Sequence, residues 1–332
     1  MRLLIVLPGA LGDVIRALPL LGRLRRGRPD AHLAWAVEPP SAPLLTGHPW
    51  LDEVLVFPRQ LGARAFLPFL RRVRAGEFTH ALDLGRSIKS AVIARASGAP
   101  ERLGFARADG REGGWLLATR RLPPQGTARA KLEQFLAFGD ALGLPPTPIE
   151  FGLAPGADDA RAAAALTAGL PPPLIVSSVG SSCPSRRWLP ERTAAVLDRL
   201  TATTGGSGLL VGTKPDAPFA AAVVRASGGR VRDLVGRTTL GQLTGVLAGA
   251  GVVFGPDSGA LHLAAALGRP VVSLWGATSA LRSTPFGAER HVVQGAAPCA
   301  PCFLTSCPIG RVCMQAITTE TVAKHAAEAL AA

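Results

Sequence analysis

The chain has 332 residues, enough for two domains of ordinary size, and its 48% hydrophobic content includes no apolar run of the ~18–20 residues that spans a bilayer. The formal charge is +13, with 21 basic against 13 acidic side chains in residues 1–150, which points to an anionic partner or simply to the arginine-rich composition of a GC-rich genome. Aromatic residues make up 5% with no Tyr, so the stacking platforms of single-strand nucleic-acid binders are poorly supplied, and the short run Leu3–Leu7 lacks a signal peptide's layout, which reads as a cytoplasmic chain.

In chain order, short apolar runs alternate with helical patterns. Strands are predicted at Leu3–Leu7, His32–Val37, Val54–Phe57 and His80–Leu84, then at Leu174–Ser178, Gly208–Val211, Val252–Phe254, Val271–Trp275 and His291–Val293. Such alternation implies an α/β fold with a mostly parallel sheet in each half. The Pro-, Gly- and Ala-rich stretch between the halves, with a helix predicted at Asp158–Ala168, reads as a linker, and Thr318–Ala332 as a terminal helix capped by Thr318 or Thr319. The predicted organisation is therefore residues 1–155, a linker at 156–172, residues 173–317 and a helix at 318–332. Ligands of open α/β sheets bind outside the carboxyl ends of the strands, so the loops there hold the candidate chemistry.

The first such loop, PGALGD at Pro8–Asp13, has two glycines but not the G-x-G-x-x-G spacing, and no acidic residue closes the second strand where a ribose contact would require one. Position alone makes Asp13 a helix cap or first-turn residue. The same position keeps its carboxylate ionised and able to accept a proton. The second loop, in Ser177–Val196, brings hydroxyls, backbone N–H groups and Arg186 or Arg187 together, which suits a diphosphate or simply a solvated polar loop. In the third, Phe254–Gly276, a strand runs into Asp257-Ser258-Gly259 and a helix carrying His262 on its first turn, an arrangement that favours an anion site. Four of the five cysteines, Cys299, Cys302, Cys307 and Cys313, fall within fifteen residues. They suit either a structural zinc or reduced, partly buried thiols.

Taken together, PGALGDVIRALPLL, ALDLGRSIKSAVIARASGAPERLGF, CPSRRWLPE, GPDSGALHLAAALGRPVVSLWG and APCAPCFLTSCPIGRVCMQAITTETV make the sequence resemble, nearly end to end, the glycosyltransferase family 9 heptosyltransferases of lipopolysaccharide core synthesis. The resemblance implies a GT-B architecture, two doubly wound Rossmann-like domains facing a central cleft, with the acceptor held by the first and ADP-heptose by the second. It implies inverting transfer without a metal or other cofactor, with Asp13 as general base. The donor would be held by Ser181, Ser182, Arg186 in place of the family's lysine, Asp257, Ser258, Gly259 and His262. An anionic Kdo-bearing lipid A acceptor would meet Gly12, Arg86, Lys89 and Arg107 in the basic first half. The resemblance further implies a monomer in peripheral contact with the cytoplasmic face of the inner membrane, with no nucleic acid partner. Other acceptors or sugars on the same fold, such as protein O-heptosylation, stay open, and a non-catalytic polyanion binder is a reading from a different class. An oxidoreductase is disfavoured by the missing G-x-G-x-x-G.

Overall fold

The computed structural model describes residues 1–58 and 62–331. The chain divides into two compact units, Met1–Gly152 and Leu153 onward. In the first, β1 (Arg2–Val6), β2 (His32–Val37), β3 (Glu53–Val56), β4 (His80–Asp83), β5 (Glu101–Gly104) and β6 (Arg120–Arg121) form a parallel sheet in the order β3-β2-β1-β4-β5-β6. Its helices are α1 (Leu11–Gly27), α2 (Ala42–Leu45), α3 (Gly62–Ala75), α4 (Ile88–Ala96) and α5 (Lys131–Ala141). Leu4 and Val6 of β1 join a core with Phe69 and Val73 of α3 and Ile93 of α4, while Leu3 and Ile5 are equally buried on the other face. Burial on both faces is why the strand reads as a continuous apolar run, as parallel sheets require.

The second unit carries α6 (Ala157–Leu166), β7 (Leu174–Ser178), α7 (Pro190–Thr204), β8 (Ser207–Val211), α8 (Ala217–Ala226), β9 (Arg232–Asp233), α9 (Leu240–Ala248), β10 (Ala250–Pro256), α10 (Gly259–Ala266), β11 (Val271–Trp275), α11 (Ala280–Ser283), β12 (Val292–Gln294), α12 (Val312–Gln315) and α13 (Thr319–Ala331). Its sheet is again parallel, in the order β12-β11-β10-β7-β8-β9. Val196, Leu197 and Leu200 of α7 pack with Val322 and Ala326 of α13 over Val252 and Phe254 of β10. Among the described residues no helix is long and apolar enough to cross a membrane.

Each strand order reverses once, between β1 and β4 in the first sheet and between β7 and β10 in the second. Loops diverge at such a point and leave a crevice. The loop from β1 to α1 and that from β4 to α4 border the first crevice, and the loops after β7 and β10 border the second.

Two sequence expectations about organisation need correction. The boundary falls at Gly152/Leu153 rather than at 155, and residues 156–172 do not form a free linker, because α6 packs against α9 of the second unit. Gly241 and Gly245 of α9 make that contact close: a Cβ on Gly245 would lie 2.6 Å from the Ala163 Cβ. The terminal helix begins at Thr319, with the Thr318 hydroxyl accepting from the Thr321 amide at 3.2 Å, and Ala332 lies outside the described residues.

Candidate active site

In the first unit, β1 delivers the chain to Ala10, the N-cap of α1, and Asp13 is the third residue of the helix. It is a first-turn residue and not the cap. Arg16, one turn on, donates to Asp13 Oδ1 at 2.6 Å, and Lys131, the first residue of α5, donates to the same oxygen at 2.8 Å. The Asp13 side chain retains 24% exposure. Burial alone would raise its pKa, but the charges and hydrogen bonds of Arg16 and Lys131 outweigh it and hold the carboxyl well below the usual carboxylate range. Gly12 beside it is buried.

The other basic residues expected around the acceptor are each engaged. Arg86 stacks on the Phe105 ring at 3.8 Å and donates to Gln134 of α5, so α5 anchors both Asp13 and Arg86. Lys89 donates to Glu38 Oε1 at 2.6 Å, and Arg107 is exposed above the Trp115 ring. Glu38 also corrects the expectation that no acidic residue closes the second strand, since it directly follows β2. Next to this crevice, Asp83 ends β4 and is pushed up to about 6 by burial, against hydrogen bonds from Ser90 and from the Gly85 and Arg86 amides.

In the second unit Asp257 is the hub. Its Oδ2 accepts from Arg186 Nη1 at 3.0 Å and from the Thr278 hydroxyl at 3.2 Å, and its Oδ1 lies 4.0 Å from Nε2 of the buried His262. The Ser181 hydroxyl donates to the Asp257 carbonyl at 3.1 Å, which ties the loop after β7 to the loop after β10. Ser258 holds the N-cap position of α10, yet its hydroxyl pairs with that of Ser178 at 3.0 Å and no side chain caps the helix. By contrast, Ser87 and Thr239 close capping boxes on α4 and α9. Gly259 is the first residue of α10, where it adds no side chain in front of those uncapped amides. Ser182 is exposed, with only a 3.9 Å approach to Cys183 Sγ. Of the two arginines the sequence left undivided, Arg186 meets Asp257, whereas Arg187 is locked to the buried Asp216 at 2.9 Å.

The cysteine tract braces this loop. Ser185 donates to the Leu304 carbonyl at 2.5 Å and its amide to Thr305, while Arg311 donates to the Arg187 carbonyl at 2.9 Å. Cys313 is buried, which raises its thiol pKa, and Cys307 Sγ accepts from the Arg311 amide at 3.1 Å. Cys299, Cys302 and Cys307 all act on Cys313 and push its thiol pKa up further.

Sequence reading missed Lys131 and Thr278 because each reaches its carboxylate from a distant element. Arg16 was findable, since three residues on a helix bring it beside Asp13.

Two parallel doubly wound sheets, with carboxylate-centred clusters at their switch points, belong to the GT-B class of glycosyltransferase folds. The chain belongs to glycosyltransferase family 9 (heptosyltransferase), whose model matches residues 66–313. It is 28% identical over 325 residues to lipopolysaccharide heptosyltransferase 1 of Pseudomonas aeruginosa, covering 92% of this chain and 87% of the relative. Among solved structures it superposes on a glycosyl transferase family 9 protein of Veillonella parvula with TM-score 0.84 and 22% identity, covering 99% and 96% of the two chains. It superposes on E. coli heptosyltransferase WaaC with ADP-2-deoxy-2-fluoro heptose with TM-score 0.74 and 22% identity, covering 99% of each.

Proposed function

We propose that this protein transfers heptose from ADP-heptose to the inner core of lipopolysaccharide, on Kdo-lipid A or heptosyl-Kdo-lipid A, with inversion and without a metal. The observation that carries the reading is the uncapped N-terminus of α10 with Arg186 anchored beside it through Asp257. Backbone N–H groups at a helix start and a guanidinium are the donors a diphosphate leaving group needs as charge grows on it. The Nε of Arg186 is buried and has no protein partner, one more donor for which an anion would be the natural acceptor.

Asp13 is the base in this reading. An acceptor hydroxyl attacking C1 must give up its proton, and a carboxylate held ionised by Arg16 and Lys131 takes it. The same two cations, with Arg86, Lys89 and Arg107 in the same unit, suit an acceptor bearing phosphate and carboxylate. Such an acceptor lies at the cytoplasmic face of the inner membrane, where the protein would work as a peripheral monomer.

The test is incubation of the purified protein with ADP-heptose and a panel of truncated lipid acceptors, following ADP release and the anomeric configuration of the product. Acceptor-dependent ADP release unaffected by chelator is the expected result. Failure to release ADP with every acceptor, together with failure to bind ADP-heptose, overturns the assignment.

A further inference from the structure

Far from Asp257, three metal-ligating side chains converge. His291, His325 and Glu328 each offer a ligand atom, and these atoms all lie within 4.8 Å of one another. His291 ends the short turn Glu289–His291 that leads into β12, the edge strand of the second sheet. His325 and Glu328 stand three residues apart on α13, which places them on one helix face.

The two Nδ1 atoms are 3.4 Å apart, with the rings nearly perpendicular at 85°. Two nitrogens each bound at about 2.1 Å to a tetrahedral ion stand about 3.4 Å apart, so the histidine pair already has the edge length of such a site. A hydrogen bond between the rings would account for that distance, but not for the carboxylate converging on the same point. Glu328 is also approached by Lys324 at 3.9 Å, an exposed pair that is easily given up. The cluster precedes β12 and so lies at the amino end of a parallel sheet, whereas Asp257 follows β10 at the carboxyl end.

We propose that His291, His325 and Glu328 bind a divalent transition-metal ion of the zinc type through both Nδ1 atoms and a Glu328 carboxylate oxygen, with water completing the shell. Two imidazoles and one carboxylate are the borderline donor set that zinc and cobalt(II) accept, and one that magnesium and calcium do not favour. Bound there, the ion ties α13 to the edge of the sheet. It is structural and plays no part in sugar transfer.

The test titrates the chelator-stripped full chain with Co²⁺ and with Zn²⁺ by calorimetry, with visible spectra for cobalt and melting curves for both. Expected are one saturable Co²⁺ site with d–d bands but no sulfur-to-cobalt charge transfer, and a melting temperature raised by Zn²⁺. His325→Ala and Glu328→Gln should each weaken binding by at least the ~10–100-fold that outer-shell partners of a metal cost, whereas Cys299→Ser/Cys302→Ser should leave it unchanged. Metal-free melting and circular dichroism matching the parent show that the variants are folded, and Glu328→Gln keeps the shape of its side chain. Absence of saturable binding, a spectrum dominated by thiolate charge transfer, or equal affinity in the parent and both folded variants overturns the proposal.

Discussion

Lys131 Nζ donates to Asp13 Oδ1 at 2.8 Å although 118 positions of chain separate the two residues. Together with Arg16 it makes Asp13 an acid that stays ionised well below the ordinary carboxylate range. A carboxyl with a depressed folded pKa adds stability above its unfolded pKa, and loses that stability only as pH falls through the depressed value. Asp13 is therefore a charged base throughout any working pH. Asp13→Asn should lower turnover by roughly 10²–10⁴-fold and, because it removes the carboxylate that pairs Arg16 and Lys131, should also lower the melting temperature at neutral pH while the circular dichroism stays that of the parent. Lys131→Met should let the Asp13 pKa rise, so that an acid limb absent from the parent appears in the pH profile of kcat/KM. An identical acid limb in parent and Lys131→Met would show that Lys131 does not set the state of Asp13.

Arg186 shares Asp257 with Thr278, so it is held by a carboxylate before any ligand arrives. Arg186→Lys keeps the charge but loses the planar fork. The expected result is a fall in kcat/KM of less than about tenfold for Arg186→Lys, against about a hundredfold or more for Arg186→Ala, the range seen when one charge-stabilising donor is removed. Steady-state kinetics with ADP-heptose separate the two, and equal losses would mean that the fork rather than the charge is what the donor uses.

What the sequence disclosed follows from where its signals are local. β2, β7 and β11 were bounded correctly because each is buried on both faces and reads as an apolar run. β5, β6 and β9 escaped notice because they are two to four residues long and carry Glu101, Arg102, Arg120, Arg121, Arg232 and Asp233 in place of apolar pairs. The switch-point loops were visible through Asp13, Asp257 and His262, but the partners that give those residues their chemistry were not. Lys131, Thr278 and the Leu304 carbonyl come from other elements, and no local periodicity encodes them. The cap of α10 illustrates the same limit: serine at the right position predicts a capped helix, and only the tertiary contact with Ser178 shows its hydroxyl turned elsewhere.

Asp83 offers a pH test in the opposite direction. Burial raises its pKa from an ordinary 3.8 to about 6, so the fold favours its neutral form. Stability from this group is fully present below the unfolded pKa and is lost as pH rises through the folded value, an interval worth roughly 3 kcal/mol for a shift of this size. Asp83→Asn keeps an oxygen for the Gly85 amide, which donates to Asp83 Oδ1 at 3.0 Å, and removes the charge. Melting temperatures measured between pH 4 and pH 8 should therefore fall less steeply with rising pH for Asp83→Asn than for the parent. Parallel curves would mean that Asp83 does not carry this dependence.

Gly255 in β10 sets how closely the two switch-point strands of the second unit approach. Its φ is +154°, and a Cβ there would stand 2.2 Å from the Ser178 carbonyl oxygen of β7, a main-chain atom that cannot rotate away. β10 pairs with β7 just before this point, at Phe254 and Ser177, and Ser178 and Ser258 share a hydroxyl contact beyond it. A methyl group must therefore separate the strands or twist the backbone where Asp257 is positioned. Gly255→Ala should cost at least about 2 kcal/mol of stability, the scale expected where a special backbone conformation and a close approach are lost together. Gly268→Ala, whose Cβ meets nothing within 4 Å, shares the positive φ at +72° but not the collision, and should cost only about 1 kcal/mol. Chemical denaturation of the two variants side by side separates crowding from conformational strain. Equal losses would assign the role of Gly255 to backbone conformation alone.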